Sequence, residues 1–137
     1  MIDLDDSCAR HCKTVIVGEM STGKTSIIYR YLEGQFKESY NSTLSPTNTS
    51  KLLQLEQGGI LLDIWDTAGQ EKYRGINKLF YNDAQIAILV YDITNKKSFE
   101  ELKSYWIDQI KQSCSKKVGN FKLYITIYCF SDWNCWK

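Results

Sequence analysis

The fold is decided by Gly18-Glu19-Met20-Ser21-Thr22-Gly23-Lys24-Thr25. This segment follows an apolar stretch, Thr14-Val15-Ile16-Val17, and fits the phosphate-binding pattern G-x-x-x-x-G-K-[ST]. Glycines let successive backbone N–H groups turn towards phosphate oxygens, and the positive end of the following helix adds to the attraction. The pattern predicts a bound nucleoside polyphosphate with Mg²⁺. Lys24 would reach the β- and γ-phosphates, and the Thr25 hydroxyl would ligate the metal.

The residues around this segment match the strand and helix that such a loop requires. After the loop, apolar residues recur at helical spacing: Ile27, Ile28, Tyr31 and Leu32. We therefore expect a strand, the loop and a helix in that order. The alternative is a chance match on a purely structural loop.

A second segment supplies a carboxylate, a glycine and a glutamine after a strand. The apolar run Ile60-Leu61-Leu62-Asp63-Ile64-Trp65 ends in Asp66-Thr67-Ala68-Gly69-Gln70-Glu71. Ligands of open α/β sheets bind at the carboxyl ends of the strands. Asp66 can hold Mg²⁺ through water, Gly69 can let a backbone N–H approach the γ-phosphate, and Gln70 can orient an attacking water. Alternatively, Asp66 merely ends the strand and the next residues form an ordinary turn.

With these motifs, the sequence resembles the Ras superfamily of small GTPases, and within it the Rab family. The resemblance runs from about residue 13 to about residue 112. Four segments carry it: residues 18–26, residues 36–43, Trp65-Asp66-Thr67-Ala68-Gly69-Gln70-Glu71, and Ile88-Leu89-Val90-Tyr91-Asp92-Ile93-Thr94-Asn95. The third string is highly specific to the superfamily, and the fourth points towards Rab.

The resemblance implies a fold and a set of site residues. The fold is the α/β fold of phosphate-loop GTPases, a mostly parallel sheet with an antiparallel edge hairpin and flanking helices. Phe36 would pack on the base, Tyr40 would cover the phosphates, and Thr43 would meet Mg²⁺ and the γ-phosphate. The implied nucleotide-binding residues are Gly18, Ser21, Thr22, Gly23, Lys24, Thr25, Ser26, Phe36, Tyr40, Thr43 and Gly69. The implied catalytic residues are Gln70 and Lys24, and the implied metal ligands are Thr25, Thr43 and Asp66.

The chain also departs from the family pattern. Met20 is bulky where the family has a small residue beside the γ-phosphate, which predicts slow hydrolysis with little stimulation. Pro46 lies in Leu44-Ser45-Pro46-Thr47-Asn48, where Rab proteins meet effectors, and leaves the identity of the partner open. The base-reading tetrapeptide Asn-Lys-x-Asp is missing, and Ser131-Asp132-Trp133-Asn134 stands in its place. We therefore expect weak guanine selectivity and a fold that is incomplete at its C-terminus.

The whole sequence is expected to divide into three parts. Residues 1–12 are an extension, and residues 13–130 are a Rab-like domain that lacks the family's last strand and helix. Residues 131–137 are a divergent tail. Residues 49–56 and 60–65 flank Gly58-Gly59 and predict a hairpin. Residues 85–91 and 123–130 predict two further strands. Ser98 and Glu101 form a capping box, which predicts a helix with Phe99, Leu102, Trp106 and Ile110 on its core face.

Composition limits the function classes further. Of 137 residues, 43% are hydrophobic and 24% charged, as in a globular domain, and a net charge of +1 gives no reason to expect nucleic-acid binding. The five cysteines include Cys135, but Cys135-Trp136-Lys137 is no prenylation box, so no lipid anchor is expected. We expect a cytoplasmic monomer that associates with internal membranes only transiently.

These features together predict a GTP-binding and GTP-hydrolysing switch of the Rab type, which regulates vesicle traffic. GTP and GDP would be substrate and product, Mg²⁺ the cofactor, and effectors, exchange factors and activating proteins the partners. Two alternatives stay open: a catalytically impaired module that binds nucleotide or sequesters effectors, and a fragment that does not fold stably.

Overall fold

A computed structural model of the chain describes residues 10–35, 45–56, 58–67, 80–114 and 122–128. Its strands are β1 (Arg10–Val17), β2 (Thr47–Leu55), β3 (Gly58–Asp66), β4 (Ile86–Asp92) and β5 (Lys122–Tyr128). Its helices are α1 (Lys24–Glu33), α2 (Lys96–Glu101) and α3 (Ile107–Cys114), and a π-helical segment, Leu102–Trp106, joins α2 to α3. Strand β1 begins inside the extension that was predicted at residues 1–12. The structure does not describe residues 131–137.

The strands form one sheet in the order β2-β3-β1-β4-β5. Strand β1 pairs in parallel with β3 and β4, β4 pairs in parallel with β5, and β2 pairs antiparallel with β3. This arrangement confirms the mostly parallel sheet with an antiparallel edge hairpin. Because β1, β3 and β4 are parallel neighbours, their carboxyl ends lie at one edge of the sheet, where the predicted site residues begin.

The hairpin between β2 and β3 is confirmed, but its turn is not where the sequence placed it. Gly58 pairs with Leu55, and Gly59 pairs with Gln54, so both glycines already belong to β3. The two residues between the paired ends are therefore 56 and 57. Gly58 has a φ of 119°, which explains why glycine follows the turn directly.

Apolar side chains cover the two faces of the sheet with separate cores. On the α1 face, Ile16, Ile64 and Val90 pack with Ile28. On the other face, the α2–α3 side, the core combines strand residues with the helix residues Leu102, Trp106 and Ile110; its strand members are Val15, Val17, Ala87 and Leu89. Two of the four predicted apolar residues of α1, Ile27 and Leu32, pack against the first core, whereas Tyr31 is exposed.

The helix after β4 begins earlier than the predicted capping box. Its N-cap is Asn95, whose side-chain oxygen accepts a hydrogen bond from the backbone N–H of Lys97. Ser98 is buried inside the first turn instead of capping it. The sequence rule failed because asparagine, three residues earlier, is an equally good cap.

The π-helical segment helps to keep the buried residues of this helical region on one face. Ser98, Leu102, Trp106 and Ile110 are all buried and recur every fourth residue. In an α-helix of about 3.6 residues per turn, each step of four overshoots a full turn by about 40°, so the last residue would drift away from the core. The wider π turn absorbs part of this drift. Phe99, predicted on the same face, is half-buried and contacts the ring of Tyr91.

No helix in the described part of the chain is long and apolar enough to cross a membrane.

Candidate nucleotide site

The loop between β1 and α1 follows a path that only particular residues can adopt. Gly18 has a φ of 148°, and a Cβ atom there would lie 2.1 Å from the carbonyl oxygen of Val90 in β4. Gly23, the N-cap residue of α1, has a left-handed φ of 89°. Ser21 is also left-handed, with a φ of 62°. The two glycines of the motif are therefore required by the backbone, the first by a close approach to β4 and the second by its φ.

Lys24 lies at the first position of α1 and turns back over the loop. Its ammonium group donates to the carbonyl oxygens of Gly18 at 2.9 Å and Glu19 at 2.7 Å. The side chain is largely buried, with the whole residue 6% exposed. The structure thus places a cation inside the loop that the sequence assigns to phosphate, held by the loop's own backbone.

Burial lowers the pKa of Lys24 from 10.5 to about 8, while Asp66 and Glu19 act in the opposite direction. Desolvation penalises the charged form of an amine, and nearby carboxylates favour it. The ammonium form is therefore held less firmly than in an exposed lysine. A phosphate group bound in the loop would place negative charge beside the Lys24 ammonium group and so favour its charged form.

Thr25 and Asp66 come together from α1 and from the carboxyl end of β3. The Thr25 hydroxyl donates to Asp66 Oδ2 at 2.5 Å, across 41 positions of sequence. Both predicted metal ligands in the described part of the chain are thus neighbours. A hydroxyl and one carboxylate fit Mg²⁺, which takes oxygen ligands and keeps several of its waters.

Two threonines hold the site together through hydrogen bonds to backbone carbonyl oxygens. Thr67 is fully buried, and its hydroxyl donates to the carbonyl oxygen of Ile16 at 2.6 Å, which ties the residue after Asp66 to β1. Thr22, a predicted nucleotide-binding residue, donates to the carbonyl oxygen of Glu19 at 2.9 Å. The signal for Thr67 was a polar residue directly after a buried strand, but its partner is distant in sequence.

The end of β4, beside the loop, is held by Ser98. The Ser98 hydroxyl lies 2.8 Å from the carbonyl oxygen of Asn95 and 3.2 Å from that of Asp92, and it accepts from the Asp92 N–H at 3.0 Å. Thr94 donates twice to the Asp92 carboxylate, through its N–H and its hydroxyl. This network fixes the strand against which Gly18 packs. The sequence had assigned Ser98 to a capping box and missed this contact.

The remaining predicted site residues fall into two groups. Among the described residues, Ser21 is exposed on the loop, Ser26 is half-buried in the first turn of α1, and Met20 is 49% exposed. The others lie outside the described residues: Phe36, Tyr40, Thr43, Gly69 and Gln70. The structure therefore brings together the loop, Lys24, Thr25 and Asp66.

Comparisons with known proteins agree with this geometry. A family model described as the Ras family matches residues 13–125. The Ras-related protein Rab-21 of Geodia cydonium is 42% identical over 106 residues, which cover 77% of this chain and 46% of that relative. The chain thus matches about half the length of the relative. A match over most of the chain, together with a loop that buries Lys24 beside Thr25 and Asp66, shows that the chain belongs to the Ras family, as a Rab-type small GTPase.

Proposed function

We propose that this chain binds GTP with Mg²⁺ and hydrolyses it to GDP and phosphate. The observation that supports this most directly is the meeting of two elements, α1 and β3, at one loop. Lys24 from α1 lies on the loop carbonyls, and the Thr25 hydroxyl lies 2.5 Å from Asp66 at the end of β3. A buried ammonium group beside a hydroxyl–carboxylate pair suits a polyphosphate that arrives with a divalent cation.

Each residue of the site would contact a different part of the nucleotide, the metal or the attacking water. Lys24 would leave the loop carbonyls for β- and γ-phosphate oxygens, and the left-handed Gly23 would let the backbone follow the phosphates. Thr25 and Asp66 would hold Mg²⁺, the second through water. When bound, Mg²⁺ neutralises charge on the phosphate oxygens. Gln70 is proposed to orient the attacking water.

Further contacts are proposed from the family pattern. Phe36 would pack on the base, and Tyr40 would cover the phosphates. Thr43 would meet the metal and the γ-phosphate, and Gly69 would donate its N–H to the γ-phosphate. These residues would be ordered by GTP and released by hydrolysis, which is how the chain would act as a switch.

Nucleotide titration tests this proposal. With EDTA-stripped protein and a fluorescent GTP analogue, we expect saturable binding that needs Mg²⁺. Lys24→Ala should weaken it at least tenfold, because a charge-assisted hydrogen bond contributes about 1.5–3 kcal/mol. The matched control is Lys51→Ala, since Lys51 contacts Tyr31 at the far end of α1. Equal loss in both variants, or no loss in either, would contradict the proposal.

A second candidate function is a nucleotide-binding module with impaired hydrolysis, and Met20 favours it. Its side chain is half exposed on the loop, where it can obstruct a water or an arginine supplied by an activating protein. Single-turnover GTP hydrolysis by the wild type and Met20→Gly separates the two. A faster variant supports impairment by Met20, whereas equal rates remove this reason for it.

We also propose that the chain discriminates poorly between guanine and adenine. The family's base-reading tetrapeptide is absent from the sequence after β5, and each missing charge-assisted hydrogen bond would cost about ten- to a hundredfold in affinity. Competition of GTP and ATP against the fluorescent analogue measures this. Affinities within about tenfold support weak discrimination. A preference of several hundredfold would show that another part of the chain reads the base.

A role in vesicle traffic is proposed from the Rab-type match. The GTP-bound switch loops would be recognised by effectors, exchange factors and activating proteins. If so, a cytosolic extract should yield proteins that bind the chain loaded with a non-hydrolysable GTP analogue and do not bind it loaded with GDP. Identical bound sets in the two states would contradict a switch of this kind.

A further inference from the structure

Two side chains of the loop between β1 and α1 share one backbone acceptor. The carbonyl oxygen of Glu19 accepts a hydrogen bond from the Lys24 ammonium group at 2.7 Å and another from the Thr22 hydroxyl at 2.9 Å. A carbonyl oxygen has two lone pairs, so these two donors fill its capacity. Thr22 and Lys24 are both buried. The Glu19 carbonyl is therefore a point at which Thr22 can act on Lys24.

The backbone of the loop holds the Thr22 hydroxyl in this position. Ser21, between Glu19 and Thr22, has a left-handed φ of 62°, a value that the third residue of a tight turn can take. The turn brings the Thr22 side chain back to the carbonyl oxygen three residues earlier. The same hydroxyl oxygen lies 3.5 Å from the position that a Cβ atom on Gly18 would occupy. Thr22 thus lies beside both residues whose carbonyls Lys24 contacts.

The Lys24 ammonium group has too few N–H donors to contact the loop and a polyphosphate fully at the same time. An ammonium group carries three N–H donors, and here the carbonyl oxygens of Gly18 and Glu19 both accept from it. The proposed nucleotide contacts need two donors, one for a β-phosphate oxygen and one for a γ-phosphate oxygen. Lys24 must therefore release at least one of the two carbonyls when a nucleoside triphosphate binds.

Releasing a carbonyl that is withdrawn from water costs free energy unless another donor stays on it. The Glu19 carbonyl would keep the Thr22 hydroxyl after Lys24 leaves. We propose that Thr22 is a positioning residue for nucleotide binding, which keeps the Glu19 carbonyl hydrogen-bonded and so frees Lys24 to turn to the phosphates. This inference rests on the proposed binding of a nucleoside polyphosphate. It assigns the Thr22 hydroxyl a role that acts through Lys24 and involves no direct contact with phosphate or metal.

A double-mutant cycle of Thr22→Val and Lys24→Ala tests this role, with the affinity for GTP measured by competition against the fluorescent analogue in Mg²⁺. Valine has the shape of threonine without the hydroxyl, so Thr22→Val should weaken GTP binding about three- to tenfold. In the Lys24→Ala background no ammonium group leaves the carbonyl, so Thr22→Val should change the affinity by less than about twofold. If Thr22 only shaped the loop, the affinity would fall equally in both backgrounds, and that result would overturn the proposal.

Two further variants show whether the hydroxyl itself is responsible. Thr14→Val is the matched control, because Thr14 is a buried threonine of β1 whose hydroxyl has no hydrogen-bond partner among the described residues. It should leave the affinity for GTP unchanged, and a loss equal to that of Thr22→Val would overturn the proposal. Thr22→Ser keeps the hydroxyl and should retain most of the wild-type affinity. If Thr22→Val does not fold, Thr22→Ala compared with Thr22→Ser takes its place in the cycle.

Competition with GMP separates this inference from the proposed function. GMP has no β- or γ-phosphate to draw Lys24 away from the Glu19 carbonyl, so Thr22→Val should bind GMP as the wild type does. An equal loss for GMP and GTP would overturn the inference. If the wild type binds GTP, Lys24→Ala weakens binding and Thr22→Val does not, only the inference fails. A folded wild type that binds no GTP would contradict the proposed function, and the inference would fall with it.

Discussion

The Thr25 hydroxyl and the Asp66 carboxylate lie 2.5 Å apart although 41 positions of sequence separate them. The contact joins the first turn of α1 to the carboxyl end of β3. It depends on the parallel pairing of β1 with β3, which brings the end of β3 beside the loop. The predicted Mg²⁺ site is therefore a consequence of the sheet topology, and changes to either residue should act on metal-dependent binding.

Asp66→Asn should weaken Mg²⁺-dependent nucleotide binding by about ten- to a hundredfold, because the amide keeps the shape but removes the charge. Asp63→Asn is the matched control in the same strand. Its carboxylate contacts Ser50 and His11 and does not contact the loop. Titration of a fluorescent nucleotide at several Mg²⁺ concentrations measures both. An Asp66 variant with unchanged Mg²⁺ dependence would rule out the metal role.

Gly18→Ala should destabilise the fold by more than about 2 kcal/mol and reduce nucleotide binding. The new Cβ would lie 2.1 Å from the Val90 carbonyl, and neither backbone can easily move. Gly34→Ala is the control, since Gly34 has a φ of 69° but nothing within 4 Å of its Cβ, so only the left-handed backbone costs free energy, about 1–2 kcal/mol. Urea unfolding compares them, and equal losses would mean that the contact with β4 does not matter.

Lys24 should make stability depend on pH when no nucleotide is bound. Its folded pKa of about 8 lies below the unfolded value of 10.5, so the folded state binds fewer protons between these values and gains stability as the pH rises. Between pH 7 and pH 9.5, the free energy of unfolding of the wild type should rise by about 2 kcal/mol relative to Lys24→Met. Urea unfolding at both pH values measures the difference. Parallel curves for the two proteins would show that Lys24 is not desolvated.

Ser98→Ala should cost about 1–2 kcal/mol, because it leaves the partly buried N–H of Asp92 without the hydroxyl that accepts from it. Ser104→Ala, on the exposed face of the π-helical segment, should change stability by less than about 0.5 kcal/mol. Denaturant unfolding of the two variants tests the network at the end of β4. If the Ser98 variant were as stable as the Ser104 variant, Ser98 would not stabilise the end of β4.

The sequence predicted the features that depend on local patterns. Residue type and spacing predicted the strand, loop and helix around Gly18, the hairpin, β4 and β5, and Asp66 ends β3 as its position after an apolar run indicated. Features that depend on distant partners were not predicted. The sequence of the loop does not show that Gly18 meets Val90, or that burial lowers the pKa of Lys24, because both follow from packing between separate elements.

The errors have local physical causes. Asn95 and Ser98 are both good N-cap residues, so residue type alone does not show which of them begins the helix. The end of β4 determines that Asn95 is the N-cap. The sequence predicts the hairpin turn at Gly58-Gly59 because glycine is common in turns, yet both glycines pair within β3 and Gly58 follows the turn with a positive φ. The π turn was missed because a spacing of four residues is close to the period of an ordinary helix.

The nucleotide retained by the purified wild type tests nucleotide binding by this loop most directly. The protein would be denatured, and the released nucleotides identified and quantified against protein, with Lys24→Ala as the comparison. We predict near-stoichiometric nucleoside di- or triphosphate in the wild type, with guanine and adenine nucleotides both present, and little in the variant. A wild type that unfolds cooperatively on heating, yet releases no nucleotide and binds none when Mg²⁺ and GTP are added, would contradict the proposed function.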